Sequence, residues 1–514
     1  MSVRKYVAIK DNTITNAYES DLVTRGTGSN MGLADSLEVF SIYAQANTSS
    51  NEQTRILVQF PVSSSDTGTT ILEDRTNNKI PASGSVSFYL RLYNVVHDQT
   101  LPRDFTLLVS PVSQSWEEGY GLDMENYSDL TYGGTGSNWM SASSTSGWEN
   151  VDGYKLEGGS FLSSSQAGSP GTLYDAFNYK KTFVKGTEDL EIEITDLVEQ
   201  WIYGTAGTNP SSNPGFENYG IGLMLTASQE SGSRSYYTKK FSARSSEYYF
   251  KRPAIEARWD NSKKDHRGNF YISSSNVSGE DNLNTLYLYN YVRGQPKNID
   301  GVGTGSIFVT VYTSASGGDQ LTTTTEQPVS GGHVDTGIYS ASFALYTTAS
   351  QGNLAYDRWF SGNVDPALAT PYHTGSFTPK TFDSDHVFLI PRYVTTVTNL
   401  QDEYYNDDIT RLRLFTRLKD WSPTIYTVAS REIENSFIED AYYKVYREFN
   451  EVDVITYGTG SDKHTRLSYD TSGSYFDLDM RLLEPRYSYA IKFLYYINGA
   501  YEEQPEIFKF RVKE

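Results

Sequence analysis

The 514-residue chain carries 63 Asp plus Glu against 43 Lys plus Arg, a formal net charge of −20, which repels a phosphate backbone and argues against nucleic-acid binding. Hydrophobic residues make up 38% and charged residues 21%, a globular balance, and no run approaches the roughly 18 consecutive apolar residues of a membrane span. Cysteine is absent, which removes disulfides, thiolate metal sites and cysteine nucleophiles.

The length predicts roughly three to four domains. The 41 Tyr and 24 Phe suit strands with one packed and one wet face, since a Tyr ring packs while its hydroxyl reaches water. Residues 1–10 (MSVRKYVAIK) lack the apolar stretch and cleavage site of a signal peptide.

In chain order, residues 54–61 (TRILVQFP) put Ile56, Val58 and Phe60 on one face, the period of a strand. Residues 86–93 do the same with Val86, Phe88, Leu90 and Leu92, and 190–194 alternate cleanly. Thr195 is placed to cap a short helix from Asp196 to about Tyr203, with Leu197, Val198, Trp201 and Ile202 as its apolar stripe and Gly204 as its stop. Residues 219–226 and 254–259 read as closing strands, and the Gly/Ser-rich stretch 120–180 as long loops. Residues 261–267 read as a solvated polar linker. Beyond it, strands are expected at 286–292, 306–312 and 339–346, then at 411–417, 441–447, 475–479, 489–495 and 507–512. Many short strands without βα alternation predict an all-β chain of three antiparallel β-sandwich domains, jelly-roll or Ig-like, at 1–260, 268–390 and 391–514. One short helix is expected, in the first. The peptide GTGS recurs at 26, 134, 303 and 458 at irregular distances, a reused turn and no structural repeat.

Ordered landmarks in the first half carry a family resemblance. They are Lys10-Asp-Asn-Thr-Ile14, Asn30-Met-Gly32 and Leu37-Glu-Val39, then Arg55–Phe60 and the strand around Phe88. Ser115-Trp-Glu-Glu-Gly119, Gly121-Leu-Asp123 and Asn138-Trp139 follow, then Ile194–Trp201, Gly220, Phe241-Ser-Ala-Arg244 and Arg252-Pro-Ala-Ile255. Together they resemble the DNRLRE-type β-sandwich, a domain related to carbohydrate-binding modules and frequent in surface and virion proteins. The stretch 140–170 departs from that compact pattern. From about Val394 onward, Trp421–Thr427, Tyr457–Gly460, Thr465–Asp470, Gly473–Asp479, Leu483–Tyr489 and Phe508–Val512 are similar to the C-terminal domain of structural proteins of large tailed phages. That resemblance implies a virion or tail component.

No local pattern marks a catalytic, cofactor or metal site. Glu117 and Glu118 beside Trp116 are the tempting carboxylate pair for glycan hydrolysis, which needs two carboxylates across a cleft. The histidines at 97, 266, 333, 373, 386 and 464 never fall at i,i+3 or i,i+4 spacing. Gly301–Gly305 lacks the helix and lysine of a phosphate cradle. The acidic loop Asp402–Asp408 lacks Gly-centred EF-hand spacing. Trp116, Trp139 and Trp148 are the candidate ligand or interface aromatics, with core packing the competing assignment.

The expectation is a non-enzymatic structural component of a tailed-phage virion, in neck, collar, tail, baseplate accessory or fibre attachment, without cofactor. Its partners would be other virion proteins and copies of itself, with no nucleic acid and no membrane insertion. It would be made in the host cytoplasm and released by lysis. The alternative is a receptor-binding protein recognising host-surface glycan through the N-terminal domain.

Overall fold

A computed structural model describes all residues except 1, 64–67, 98–103, 123–135, 150–152, 163–176, 178, 205–215, 234–235, 325, 347–353, 382–390, 420–423 and 426–434. Asp123, His386 and most of Trp421–Thr427, singled out in the sequence, lie outside the described residues. The chain is a multi-domain β-sandwich protein and divides into two compact units. One holds Ser2–Asp260 with Ser461–His464; the other holds Asn261–Gly460 and Thr465–Glu514.

The N-terminal unit pairs two antiparallel sheets. The smaller runs Val3–Val7, Ala254–Arg258, Ser87–Leu92, Leu190–Glu193. The larger runs Tyr236–Ser242, Ser36–Tyr43, Asn51–Gln59, Ile221–Leu225, Phe105–Pro111, Tyr179–Phe183, and Lys10–Thr15 also pairs with Asn51–Gln59. Alternate residues from both sheets meet in one core. Phe88, Leu90, Leu92 and Ile255 face Ile56, Val58, Phe60, Leu107 and Leu223.

The helix Thr195–Tyr203 buries Leu197, Val198 and Trp201 and ends at Gly204, whose φ of 58° favours glycine. Its N-cap is Ile194 rather than Thr195. The Thr195 hydroxyl is used elsewhere: it accepts from Phe88 N–H at 2.9 Å and donates to Glu193 Oε1 at 2.9 Å, tying the helix start to the sheet. Two further short helices, Ile71–Thr76 and Ala227–Glu230, start at capping boxes, Thr70 with Glu73 and Thr226 with Gln229. The T-x-x-E/Q signal was present at both.

The strand Asn51–Gln59 departs from alternation. From Ile56 to Val58 three consecutive residues are buried, because Leu57 enters a second core on the outer face of the larger sheet. A strand covered on both faces reads as a continuous apolar run.

In the second unit a six-stranded sheet runs Asn284–Tyr289, Ile338–Phe343, Val329–Asp335, Ile307–Tyr312, Ala355–Ser361, Thr370–Phe377. Val329–Asp335 changes partner along its length. Its first residues pair with Ile307–Val309 and its last with Ile338–Ser340, across an irregularity at His333–Asp335, so the sheet curls over Phe270, Leu286, Val309, Phe343 and Trp359. Further along, a sheet of Tyr393–Val397, Ile409–Leu418, Gly473–Asp479 and Ser468–Asp470 accompanies one of Glu403–Tyr405, Phe508–Lys513, Ser488–Ile497, Ala441–Arg447 and Val452–Ile455, with Ala500–Glu503 on Ser488–Ile497. Tyr443 stacks on Phe476 at 4.1 Å between these two sheets. Glu403–Tyr405 pairs parallel with Phe508–Lys513, an exception within otherwise antiparallel sheets.

Residues 261–267 are not a solvated linker. Lys263 and Asp265 exchange backbone hydrogen bonds with Tyr469 at 3.0 Å each, Asp265 is buried, and Arg267 grips buried Asp357 with two bonds of 2.6 and 2.7 Å. Trp359 Nε1 donates to the same carboxylate at 2.6 Å. The charges looked solvated in sequence because their partners are remote: Asp335 for Lys263, 72 residues away, and Asp357 for Arg267, 90 residues away.

Two stability outcomes follow from these placements. Leu57→Ala will cost about 2–5 kcal/mol in chemical denaturation, against under about 0.5 kcal/mol for a leucine on a wet face. Arg267→Ala leaves the Asp357 charge buried without its guanidinium and will cost about 3–5 kcal/mol, measured in the same way; a near-neutral result would mean the segment is solvated after all.

Candidate functional site

The outer face of the larger N-terminal sheet offers Ile14, Leu57 and part of Met224, and described residues between Val112 and Phe161 pack over it. Trp116, Trp139 and Trp148 all converge there with Val112, Ala142 and Phe161. They are 2%, 4% and 1% exposed, so no indole face is presented for stacking on a sugar. Each ring is held by its surroundings. Trp116 Nε1 donates to Tyr219 O and Trp148 Nε1 to Asn138 O, both at 2.8 Å, and the Arg55 guanidinium lies 5.2 Å from the Trp139 ring centroid. Arg55 also donates to Gly158 O at 2.7 Å and pairs with Glu230 at 2.8 Å. The Phe161 ring occupies the space where a Cβ at Gly222 would stand, which explains a glycine inside the strand Ile221–Leu225.

Beside this apolar layer lies a polar knot built from residues that the sequence landmarks contain. Asn12 Nδ2 donates to Ser137 O and Oγ at 2.9 and 2.8 Å, and its Oδ1 accepts from Met31 N–H at 2.9 Å. Asn30 Oδ1 accepts from Gly121 N–H at 2.9 Å, and the backbone of Gly121 presses so closely on Asn30 that a side chain has no room. Glu118 Oε1 accepts from Asp11 N–H at 3.0 Å and from Arg244 Nη2 at 2.7 Å. Glu117 Oε2 accepts from Gly136 and Ser144 N–H, each at 3.2 Å. Both glutamates of the tempting pair therefore brace loop backbone or a guanidinium.

Asp11 is the exceptional member. It is fully buried; one carboxylate oxygen accepts from Arg244 N–H, while the other has no hydrogen-bond partner among the described residues. Burial pushes its carboxyl up to about 7, helped by nearby Glu118 and opposed by the Arg244 backbone bond and charge. Asp11, Asn12, Asn30 and Arg244 stand among the sequence landmarks, where nothing local assigns them a task. The available signal was a polar run at 10–13 beside a strand buried on both faces. Next to the knot, a shallow cleft of about 390 Å³ is lined by Lys10, Glu117, Glu118, Tyr120 and Ser144.

Elsewhere, the acidic loop Asp402–Asp408 is partly a strand. Glu403 pairs with Lys513 and Asp408 Oδ2 accepts from Tyr405 N–H at 2.9 Å. Among the described residues no group of three or more His, Asp or Glu side chains gathers as a metal cage. Around Gly301–Gly305 the chain turns, with Gly303 O accepting from the Tyr339 hydroxyl at 2.7 Å.

No family model matches the chain, and no curated protein matches it. Solved structures that it resembles include the N-terminal Ig1-2 module of the Drosophila receptor protein tyrosine phosphatase DLAR, at 8% identity and a TM-score of 0.14 over 45% of this chain and 91% of that one. The FN1–FN3 domains of chicken CNTN1 match at 8% identity and a TM-score of 0.15, over 59% of this chain and 85% of that one. Superpositions at TM-scores this low carry no functional argument; the sandwich assignment stands on the sheets themselves.

Asp11 sets a pH dependence. Its folded pKa lies above the ordinary aspartate value of 3.8, so folding favours the protonated acid, and its contribution to stability falls as pH rises from about 4 through about 7. Asp11→Asn removes that fall. The variant will melt several degrees above wild type at pH 8 and close to it at pH 4 by differential scanning calorimetry; a difference independent of pH would refute the assignment.

Proposed function

We propose that this chain is a structural component of a tailed-phage virion, working without catalysis through protein–protein interfaces with other virion proteins and copies of itself. The observation that best supports this reading is where apolar surface remains uncovered. The hairpin between Ala441–Arg447 and Val452–Ile455 holds Phe449 at its tip, 88% exposed, and the turn between Ala355–Ser361 and Thr370–Phe377 holds Val364 and Leu368, 61% and 73% exposed. Hairpins ending in exposed apolar side chains are contact elements for a neighbouring surface. The resemblance of the C-terminal region to large-phage structural proteins points the same way. Many equivalent contacts in a particle make individually modest interfaces durable.

The rival, glycan recognition through the N-terminal domain, lost its leading candidates when the three tryptophan rings proved covered; it keeps only the shallow cleft beside Lys10. Cryo-electron microscopy of purified virions carrying the chain tests both readings. The expected result is a symmetric array of copies with Phe449 beneath a neighbouring subunit. Absence of the chain from purified particles overturns the proposal, and a distal position with the Lys10 cleft facing outward favours the rival.

A further inference from the structure

The second unit contains a cleft of about 790 Å³, within the roughly 300–1,000 Å³ range of small-molecule sites. It is lined by Lys264, His266, Tyr271, Glu280, Lys380 and Glu439, among others. We propose that this cleft binds an oligosaccharide.

Three observations carry the proposal. The first is the charge pattern. Ammonium groups of Lys264 and Lys380 share the cleft with the carboxylates of Glu280, Asp281 and Glu439, Lys264 lying 3.8 Å from Asp440 and Glu439 3.8 Å from His266. A compact anion meets the glutamates and a compact cation meets the lysines. A ring of hydroxyls satisfies both, donating to carboxylates while accepting from ammonium groups. Glu280 has no side-chain hydrogen bond among the described residues, and Lys380 reaches Gly268 O only at 3.4 Å, so both have bonding capacity to offer a ligand.

The second is the apolar part of the wall. Tyr271 and Leu283 line the cleft, and Leu283 is exposed. Such surfaces pack the C–H faces of a pyranose while its hydroxyls point to the polar rim.

The third is rigidity. The Asn284 side chain holds the Tyr271 backbone from both sides, donating to its O at 2.8 Å and accepting from its N–H at 3.0 Å. His266 Nδ1 accepts from Thr285 N–H at 3.0 Å, while its Nε2 lies 2.9 Å from the Tyr469 hydroxyl and 3.8 Å from Glu439 Oε1. The Tyr271 backbone and the His266 ring are thus held in place before a ligand arrives, which lowers the ordering cost at that part of the wall.

The test is an array of neutral and charged bacterial-surface oligosaccharides probed with the full chain, followed by titration calorimetry of the best-bound glycan. Lys380→Ala and Glu280→Ala are exposed substitutions outside the packed core, and circular dichroism verifies their folding. The expected result is binding that weakens roughly tenfold or more in each variant and is unchanged by Lys10→Ala in the N-terminal cleft. No bound glycan on the array, binding indifferent to both cleft variants, or binding lost with Lys10→Ala would each overturn the proposal.

Discussion

The N-terminal unit is organised by the loss of a wet face on one strand. Asn51–Gln59 sends Ile56, Val58 and Phe60 into the sandwich and Leu57 to the opposite side. Once Leu57 and Ile14 stand on that outer face, something must cover them, and the cover is loop. Loops carry backbone polar groups that need partners when buried. The knot of Asn12, Asn30, Glu117, Glu118 and Arg244 supplies those partners, and the tryptophans supply the apolar surface. Asp11, with one carboxylate oxygen unmet, is where this arrangement is least well satisfied.

The second unit solves the same problem differently, with tyrosines. Tyr339, Tyr442, Tyr469, Tyr489 and Tyr495 are fully buried. Several bring their own partners: the Tyr489 hydroxyl donates to Glu484 O at 2.8 Å, and that of Tyr495 meets Thr395 Oγ1 at 2.6 Å. A buried Tyr thus acts as packing and as crosslink together. The pair Arg267–Asp357, shared with Trp359, fixes the entering segment 261–267 in the same manner.

These arrangements also sort the surfaces by purpose. The aromatic residues that looked available for ligands are spent on covering a sheet. Among what the fold leaves outside are hairpin tips with apolar ends and a cleft lined by charges of both signs. The first suits docking of subunits and the second suits a polyhydroxylated ligand. The two proposals rest on separate parts of the second unit.

The sequence alone determined the all-β class and many of the strands, because a period of two survives wherever one face is wet and one is dry; Ser36–Tyr43, Phe105–Pro111, Tyr236–Ser242, Ala355–Ser361 and Thr370–Phe377 came only with the fold. The strand Ser87–Leu92 was legible for that reason, and the helix Thr195–Tyr203 from its apolar stripe at helical spacing and its Gly204 stop. Sequence could also name Trp116, Trp139 and Trp148 together, but not whether they face water. Tertiary structure decided that Leu57 is core, that the Glu117–Glu118 pair braces loops, and that residues 261–267 are embedded. In each case the partner lies far along the chain, so the local pattern holds only half of the interaction and the fold supplies the other half.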